Sequence, residues 1–242
     1  MDLKIKDVAE LLNVSETTIR RWLTGGKIPA YRLNHQYRFS RIEIETWMMS
    51  CKLSKEKDLL PFGEEKQIYP ASGEEDIPLS KAGTQQFSLF RALLRGDVLT
   101  QVPGTTKEEV IRNSMGVVAP QLGLDAELVV ELLLDRERLM STSLNCGVAV
   151  PHPREFLFKG PVDRVVMVFP IQPVDFEAFD KTPVHTLFFL FSSQDKRHLH
   201  LLAKIAHLSG SSDALEFFRS QPSKEAVLAY VKAWEGKVGG AS

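Results

Sequence analysis

The sequence predicts a multidomain chain: an all-α-rich, helix-turn-helix N-terminal module, then an α/β sandwich in which a mixed β-sheet is flanked by helices. Three observations carry this expectation. Residues 1–50 hold short helical apolar patterns separated by turn residues, and residues 51–86 then lose all period and gather Pro, Gly and acidic side chains. Beyond them, Val165–Phe169 and Val184–Phe191 are long enough for strands and apolar on both faces, which implies a sheet covered on each side.

Composition bounds the rest. A chain of 242 residues suggests one or two domains, and 43% hydrophobic residues suffice for a sizeable core. The net charge of −1 argues neither for nor against nucleic acid until the chain is divided. Two cysteines, Cys51 and Cys146, lie far apart without metal-type spacing, so a reduced, cytoplasmic protein is expected. The charged start and the lack of a long apolar run predict neither signal peptide nor membrane insertion.

In the N-terminal module (1–50), Val8, Leu11 and Leu12 give the apolar face of a helix over about Lys6–Leu12. Asn13-Val14 makes a turn, and Ser15 is placed to cap a second helix over about Glu16–Thr24. That helix turns Ile19, Trp22 and Leu23 inward. Thr17, Arg20, Arg21 and Thr24 share its outer face. Gly25-Gly26 ends it, and two helices so joined suggest a helix-turn-helix, whose second helix enters the major groove. Ile28–Leu33 and Gln36–Phe39 read as paired strands turning at Asn34-His35, and Ser40-Arg41-Ile42-Glu43 as a capping box for a third helix carrying Ile44, Trp47 and Met48. The run Ala9–Ala30 matches A-E-L-L-x-V-S-x-x-T-I-R-R-W-L-x-x-G-x-I-P-A. In this the module resembles the winged helix-turn-helix of the excisionase/MerR-like family. The resemblance implies DNA binding, with Thr17, Arg20, Arg21 and Thr24 on the recognition helix and Asn34, His35 and Arg38 on the wing. Over residues 1–55 ten basic side chains face six acidic ones, a small excess, so useful affinity calls for a homodimer on paired half-sites.

Segment 51–86 reads as an acidic linker containing Pro and Gly; over 56–80, seven acidic residues face two basic ones. If flexible, it spans ~30 Å, whereas screening at physiological salt acts over ~8 Å. Coupling between the domains therefore requires that they dock, with the face of His152 against the winged helix or against a partner subunit, or that a dimer rearranges.

The C-terminal domain (87–236) opens a helix at the capping box Thr106–Glu109 and a second helix near Ala126–Arg138. Helices follow around Lys196–Leu208, Ala214–Ser220 and Lys224–Trp234. The stretch Arg136–Arg154, RERLMSTSLNCGVAVPHPR, joins the second helix to the β-like run Gly147–Val150, which ends on a histidine between two prolines. An imidazole fixed there is rigidly aimed and can act as a nucleophile, although a plain turn histidine fits the local chemistry as well. Arg136, Glu137, Ser141, Thr142, Gly147, Ala149, Pro151 and His152 fall in register with R-E-x-x-x-S-T-x-x-x-x-G-x-A-x-P-H. This resembles the signature of enzyme IIA domains of the fructose/mannitol/nitrogen branch of the phosphotransferase system, PtsN-like in its nitrogen branch. Two departures stand out: Ser143-Leu144-Asn145 replaces the usual Gly-Ile-Gly, and Pro153, which has no N–H, follows the histidine where a small residue is common.

The resemblance implies that His152 accepts a phosphoryl group from phospho-HPr, that Arg136 forks onto phosphate oxygens, and that His198 lies beside His152 and donates to the phosphate. Thr142 either bonds phosphate or caps the backbone. Val150, Leu139 and Met140 form either an apolar rim or core. His185 reads as a core residue, and Cys146, beside Gly147, as a small buried thiol or else a reactive one. The implied function is that of a phosphorylation-responsive regulator, a phosphocarrier rather than a free-standing enzyme, with no cofactor or metal. The alternatives are a sugar-transport phosphocarrier whose N-terminal module binds protein, a DNA binder with an inactive second domain, and, last, a zinc site from His152, His198 and His185.

Overall fold

The computed structural model describes residues 3–12, 14–33, 35–51, 88–158 and 162–240. The expected linker falls almost wholly outside the described residues, as does Asn34 of the wing.

The N-terminal module is α1 (Ile5–Leu12), α2 (Glu16–Thr24), a hairpin of β1 (Tyr31–Leu33) and β2 (Gln36–Arg38), and α3 (Arg41–Cys51). Ser15 caps α2 by accepting from Thr18 N, as its position predicts. At the other end Gly26, not Gly25, takes the left-handed conformation, with φ 63°. The helices close over Val8, Leu11, Leu12, Ile19, Trp22, Ile28, Phe39, Ile44 and Met48. Trp22 and Trp47 tilt against each other 5.7 Å apart, and Trp47 Nε1 donates to Lys27 O at 2.6 Å, tying α3 to the segment after α2. Both wing strands are shorter than expected.

The C-terminal region holds α4 (Leu89–Arg95), β3 (Val98–Val102), α5 (Lys107–Gln121), α6 (Ala126–Leu139), β4 (Ser143–Leu144), β5 (Val148–Ala149), β6 (Arg164–Pro170), β7 (Thr186–Phe191), α7 (Asp195–Leu208), α8 (Ser212–Arg219) and α9 (Lys224–Gly240). The sheet order is β3-β6-β7-β5-β4. β3 runs parallel to β6 and β5 parallel to β7, whereas β6/β7 and β4/β5 are antiparallel, so the sheet is mixed.

The two central strands explain the layers. Side chains alternate along a strand, so Val165, Met167 and Phe169 of β6 join Phe188 and Leu190 of β7 in a core shared with α4, α7, α8 and α9. Val166 and Val168 join Leu187, Phe189 and Phe191 in a second core, under α5 and α6. Each central strand thus buries both faces. Gly96, before β3, lets the chain lie on β6, because a Cβ there would stand 1.9 Å from Val165 O. Thr106 caps α5 as predicted, accepting from Glu109 N, while the Glu109 carboxylate accepts from Thr105, one residue further out than an ordinary capping box.

Candidate active site

The site forms where three element ends converge. Arg136 lies in the last turn of α6, His152 follows β5, and His198 lies in the first turn of α7. β5 pairs parallel with β7, and Leu190 N donates to Pro151 O at 3.0 Å, which carries the Pro151-His152-Pro153 segment along the sheet toward the start of α7. The His152 and His198 rings meet edge to face with centroids 4.8 Å apart. Residues far apart in the chain, matched by resemblance alone, are therefore neighbours.

The tautomer of His152 follows from its neighbours. Its Nδ1 lies 2.6 Å from Val150 O; a carbonyl can only accept, so Nδ1 carries a proton and donates. Nε2 is then the nitrogen aimed into the cluster, and it does not face solvent. Glu45, on α3 of the N-terminal module, places Oε1 at 2.5 Å from it. The same oxygen accepts from Arg136 Nη2 at 2.8 Å, while Arg136 Nη1 donates to Met140 O at 2.9 Å. Glu45 Oε2 stands 3.4 Å from His198 Nε2 and 3.7 Å from Arg41 Nε. Glu45, Arg136, His152 and His198 are all buried. Access to His152 from one side, expected from its strand-end position, is thus closed by the chain's own third helix.

Electrostatics follow from burial and pairing. Burial alone pushes the Glu45 carboxyl up, but His152 and His198 outweigh it and hold the group far below the usual carboxylate range. Burial pushes the His198 ring down to about 4 against the pull of Glu45, so at neutral pH this ring is an uncharged hydrogen-bonding group. Burial likewise raises Glu137, against the hydrogen bonds it accepts from Thr142.

Other expected residues fall as follows. Thr142 is buried, and its hydroxyl donates to Glu137 Oε2 at 2.6 Å while its N–H donates to the same carboxylate. The hydroxyl thus braces the loop after α6 instead of joining the cluster around Glu45. Val150 belongs to the core, Met140 packs against it, and Leu139 is exposed. Cys146 is exposed, not buried as expected: it sits in a left-handed turn, φ 69°, with its N–H donating to Asp180. His185 is half-buried, with Nδ1 2.8 Å from Thr186 Oγ1, and it stands apart from the cluster of Glu45, His152 and His198. In the winged module, Thr17, Arg20, Arg21, Thr24 and His35 are exposed. Arg38 is half-buried, and its guanidinium donates to Gln36 Oε1 at 2.8 Å.

The residue that sequence reasoning missed is Glu45. Its signal was a carboxylate on the stripe running from Arg41 to Met48, where a helix packing on another surface buries its side chains. Ligand atoms of Glu45, His152 and His198 lie within 4.8 Å of one another, close enough to hold a metal ion. The histidine–carboxylate set suits zinc by ligand type. The Arg136 guanidinium on the same carboxylate oxygen opposes a dication there.

A mixed sheet between two helical layers, with a rigidly aimed histidine beside an arginine and a second histidine, defines a IIA-type α/β domain, here joined to a helix-turn-helix module. Residues 93–234 match the family profile described as phosphoenolpyruvate-dependent sugar phosphotransferase system, EIIA 2, and the chain belongs to that family. Residues 3–52 match a helix-turn-helix domain. The chain is 36% identical over 146 residues to the nitrogen regulatory protein of Pseudomonas aeruginosa, a match covering 59% of this chain and 94% of that one. It is similar in structure to nitrogen regulatory protein IIA-Ntr of Neisseria meningitidis, with a TM-score of 0.50 and 29% identity, covering 55% of this chain and 91% of the other. Over 54 residues the chain is 44% identical to the transcriptional repressor DcmR of Methylorubrum extorquens, a match covering 22% of this chain and 20% of the repressor. No helix among the described residues is long and apolar enough to cross a membrane.

Proposed function

We propose that the protein is a phosphorylation-responsive, cytoplasmic regulator that accepts a phosphoryl group from phospho-HPr on His152 and binds DNA through its winged helix. The observation that carries this reading is the orientation of His152: Val150 O holds the Nδ1 proton, leaving Nε2 as the attacking nitrogen, with Arg136 and His198 around it. In-line transfer needs a nucleophile and donors around the equatorial oxygens. Arg136 supplies a fixed positive charge and N–H donors, and His198 a neutral ring. Support for the DNA reading comes from the exposed Thr17, Arg20, Arg21 and Thr24 on α2, from the helix-turn-helix match over residues 3–52, and from the 54-residue likeness to a transcriptional repressor. The division into 1–50, 51–86 and 87–236, and a homodimer on paired half-sites, belong to the same reading. The test is incubation of the full chain with phosphoenolpyruvate, enzyme I and HPr, followed by mapping of acid-labile phosphate. Label on His152 that vanishes in His152→Ala is expected; undiminished label in that variant overturns the assignment.

A further inference from the structure

We infer that the Glu45 carboxylate occupies the seat of the transferred phosphoryl group, so that docking of the winged helix and phosphorylation of His152 exclude each other. This rests on His152 being the acceptor.

The seat is defined by the groups around it. One carboxylate oxygen is held by His152 Nε2 and Arg136 Nη2, at 2.5 and 2.8 Å, and the other stands 3.4 Å from His198 Nε2. These are the nucleophile and the two oxyanion-binding groups of the proposed reaction, all turned on an anion from the other end of the chain. His198 Nε2 is buried and makes no well-formed hydrogen bond, even with Glu45 beside it. A single planar carboxylate leaves that donor incompletely used, whereas a tetrahedral phosphoryl group offers a further oxygen.

Proton accounting gives the same exclusion. Nδ1 keeps its proton on Val150 O. A nitrogen lone pair and a carboxylate oxygen cannot approach to 2.5 Å unless a proton lies between them, so docking commits the Nε2 lone pair to N–H. In transfer, Nε2 releases that proton to Glu45 or to solvent, and its lone pair forms the N–P bond. The donor's bond to phosphorus breaks, and that electron pair stays on the donor. Glu45 must leave before the phosphorus can arrive.

The withdrawal is a movement of the whole module, because Glu45 is one point of a continuous interface. Leu199 and Ala203 of α7 share an apolar cluster with Val8, Leu11, Leu12 and Met48. Lys196 pairs with Asp7 at 3.0 Å and Glu10 at 3.5 Å. Arg41 donates to Asp195 at 3.1 Å and lies over the Phe156 ring. α1 and α3 thus face the IIA region, while Arg20 and Arg21 of α2 remain exposed. Docking leaves the proposed DNA-reading face open and closes only the phosphoryl seat.

The experiment measures initial rates of labelling of the full chain by phosphoenolpyruvate, enzyme I and HPr, for wild type, Glu45→Gln, Glu45→Ala and His152→Ala. Circular dichroism checks the fold of each. Glu45→Gln keeps the shape and removes the charge. It should label about tenfold faster or more, within the usual ~5–150-fold range of coupling between sites, as should Glu45→Ala if it folds. Labelling of His152 at the wild-type rate in folded Glu45→Gln overturns the exclusion and leaves His152 as acceptor. Absence of label from every chain overturns the acceptor assignment, and the exclusion falls with it.

Discussion

At the scale of single residues, the cluster around Glu45 concentrates most of the chemistry. Arg136 holds one carboxylate oxygen with one nitrogen and Met140 O with another, so Arg136→Ala removes a fixed charge from the seat. Removal of one such preorganised donor costs about 10²–10³ in rate, and we expect labelling of His152 to slow by that order while the acceptor itself survives, as single-turnover kinetics would read. Acid sensitivity belongs here too. Burial depresses the His198 and His200 rings from their ordinary 6.5 to about 4. Between those values the unfolded chain binds more protons than the folded one, so stability is fully present above 6.5 and is lost as pH falls toward 4. Melting temperature should decline across that window, and less steeply in His198→Asn; an unchanged slope in the variant would remove His198 from the cause. His152, Arg136 and the aligned signature were legible in the sequence because they lie within one short continuous stretch, from the end of α6 to the segment just after β5. Glu45 was not, because an acidic side chain on a helix reads as solvated until the surface it meets, 91 residues away at Arg136, is in place.

At the scale of elements, the legible parts were those with a strong period or a capping side chain. α2 begins and ends where Ser15 and the glycine pair place it, and β6 and β7 follow their apolar runs. β3 was missed because its five residues alternate poorly, with Gln101 at φ 56° and a register shift between Leu99 and Val102. α4 was missed because seven residues are too few for a helical period to stand out. The loop that delivers His152 depends on Gly147, whose φ is 79° and where a Cβ would lie 2.6 Å from the His185 ring. Gly147→Ala should destabilise the protein by about 1–3 kcal/mol through backbone strain and crowding and lower labelling of His152. A melting curve equal to wild type would show that the loop tolerates the side chain.

At the scale of the molecule, the fold brings a helix-turn-helix module and a IIA-type domain together over one buried anion. A phosphoryl group on His152 would carry about two negative charges into a seat already holding Glu45. Unit charges ~4 Å apart repel by about 4 kcal/mol at an effective dielectric near 20, which opposes docking of the module while the phosphate is present. The sequence argument that docking must accompany any coupling rested on the ratio of linker span to screening length. The contacts of α1 and α3 with α7 provide such docking within one chain. Adding glycine and serine to the 61–83 segment should therefore lower the effective concentration of the docked module and raise the initial labelling rate, without changing which residue is labelled. DNA affinity, measured across a salt series, should fall in Arg20→Ala and Arg21→Ala, each with a shallower salt dependence.

The central claim, that phosphate on His152 and the docked winged helix cannot coexist, is tested most directly by amide hydrogen exchange on the full chain before and after stoichiometric phosphorylation. Protection is read over α1, α3 and the first turns of α7. The account predicts faster exchange at these helices once His152 is phosphorylated, and faster exchange there in unphosphorylated Glu45→Gln as well. Unchanged protection of α3 and α7 in a chain shown by mapping to carry phosphate on His152 would contradict it.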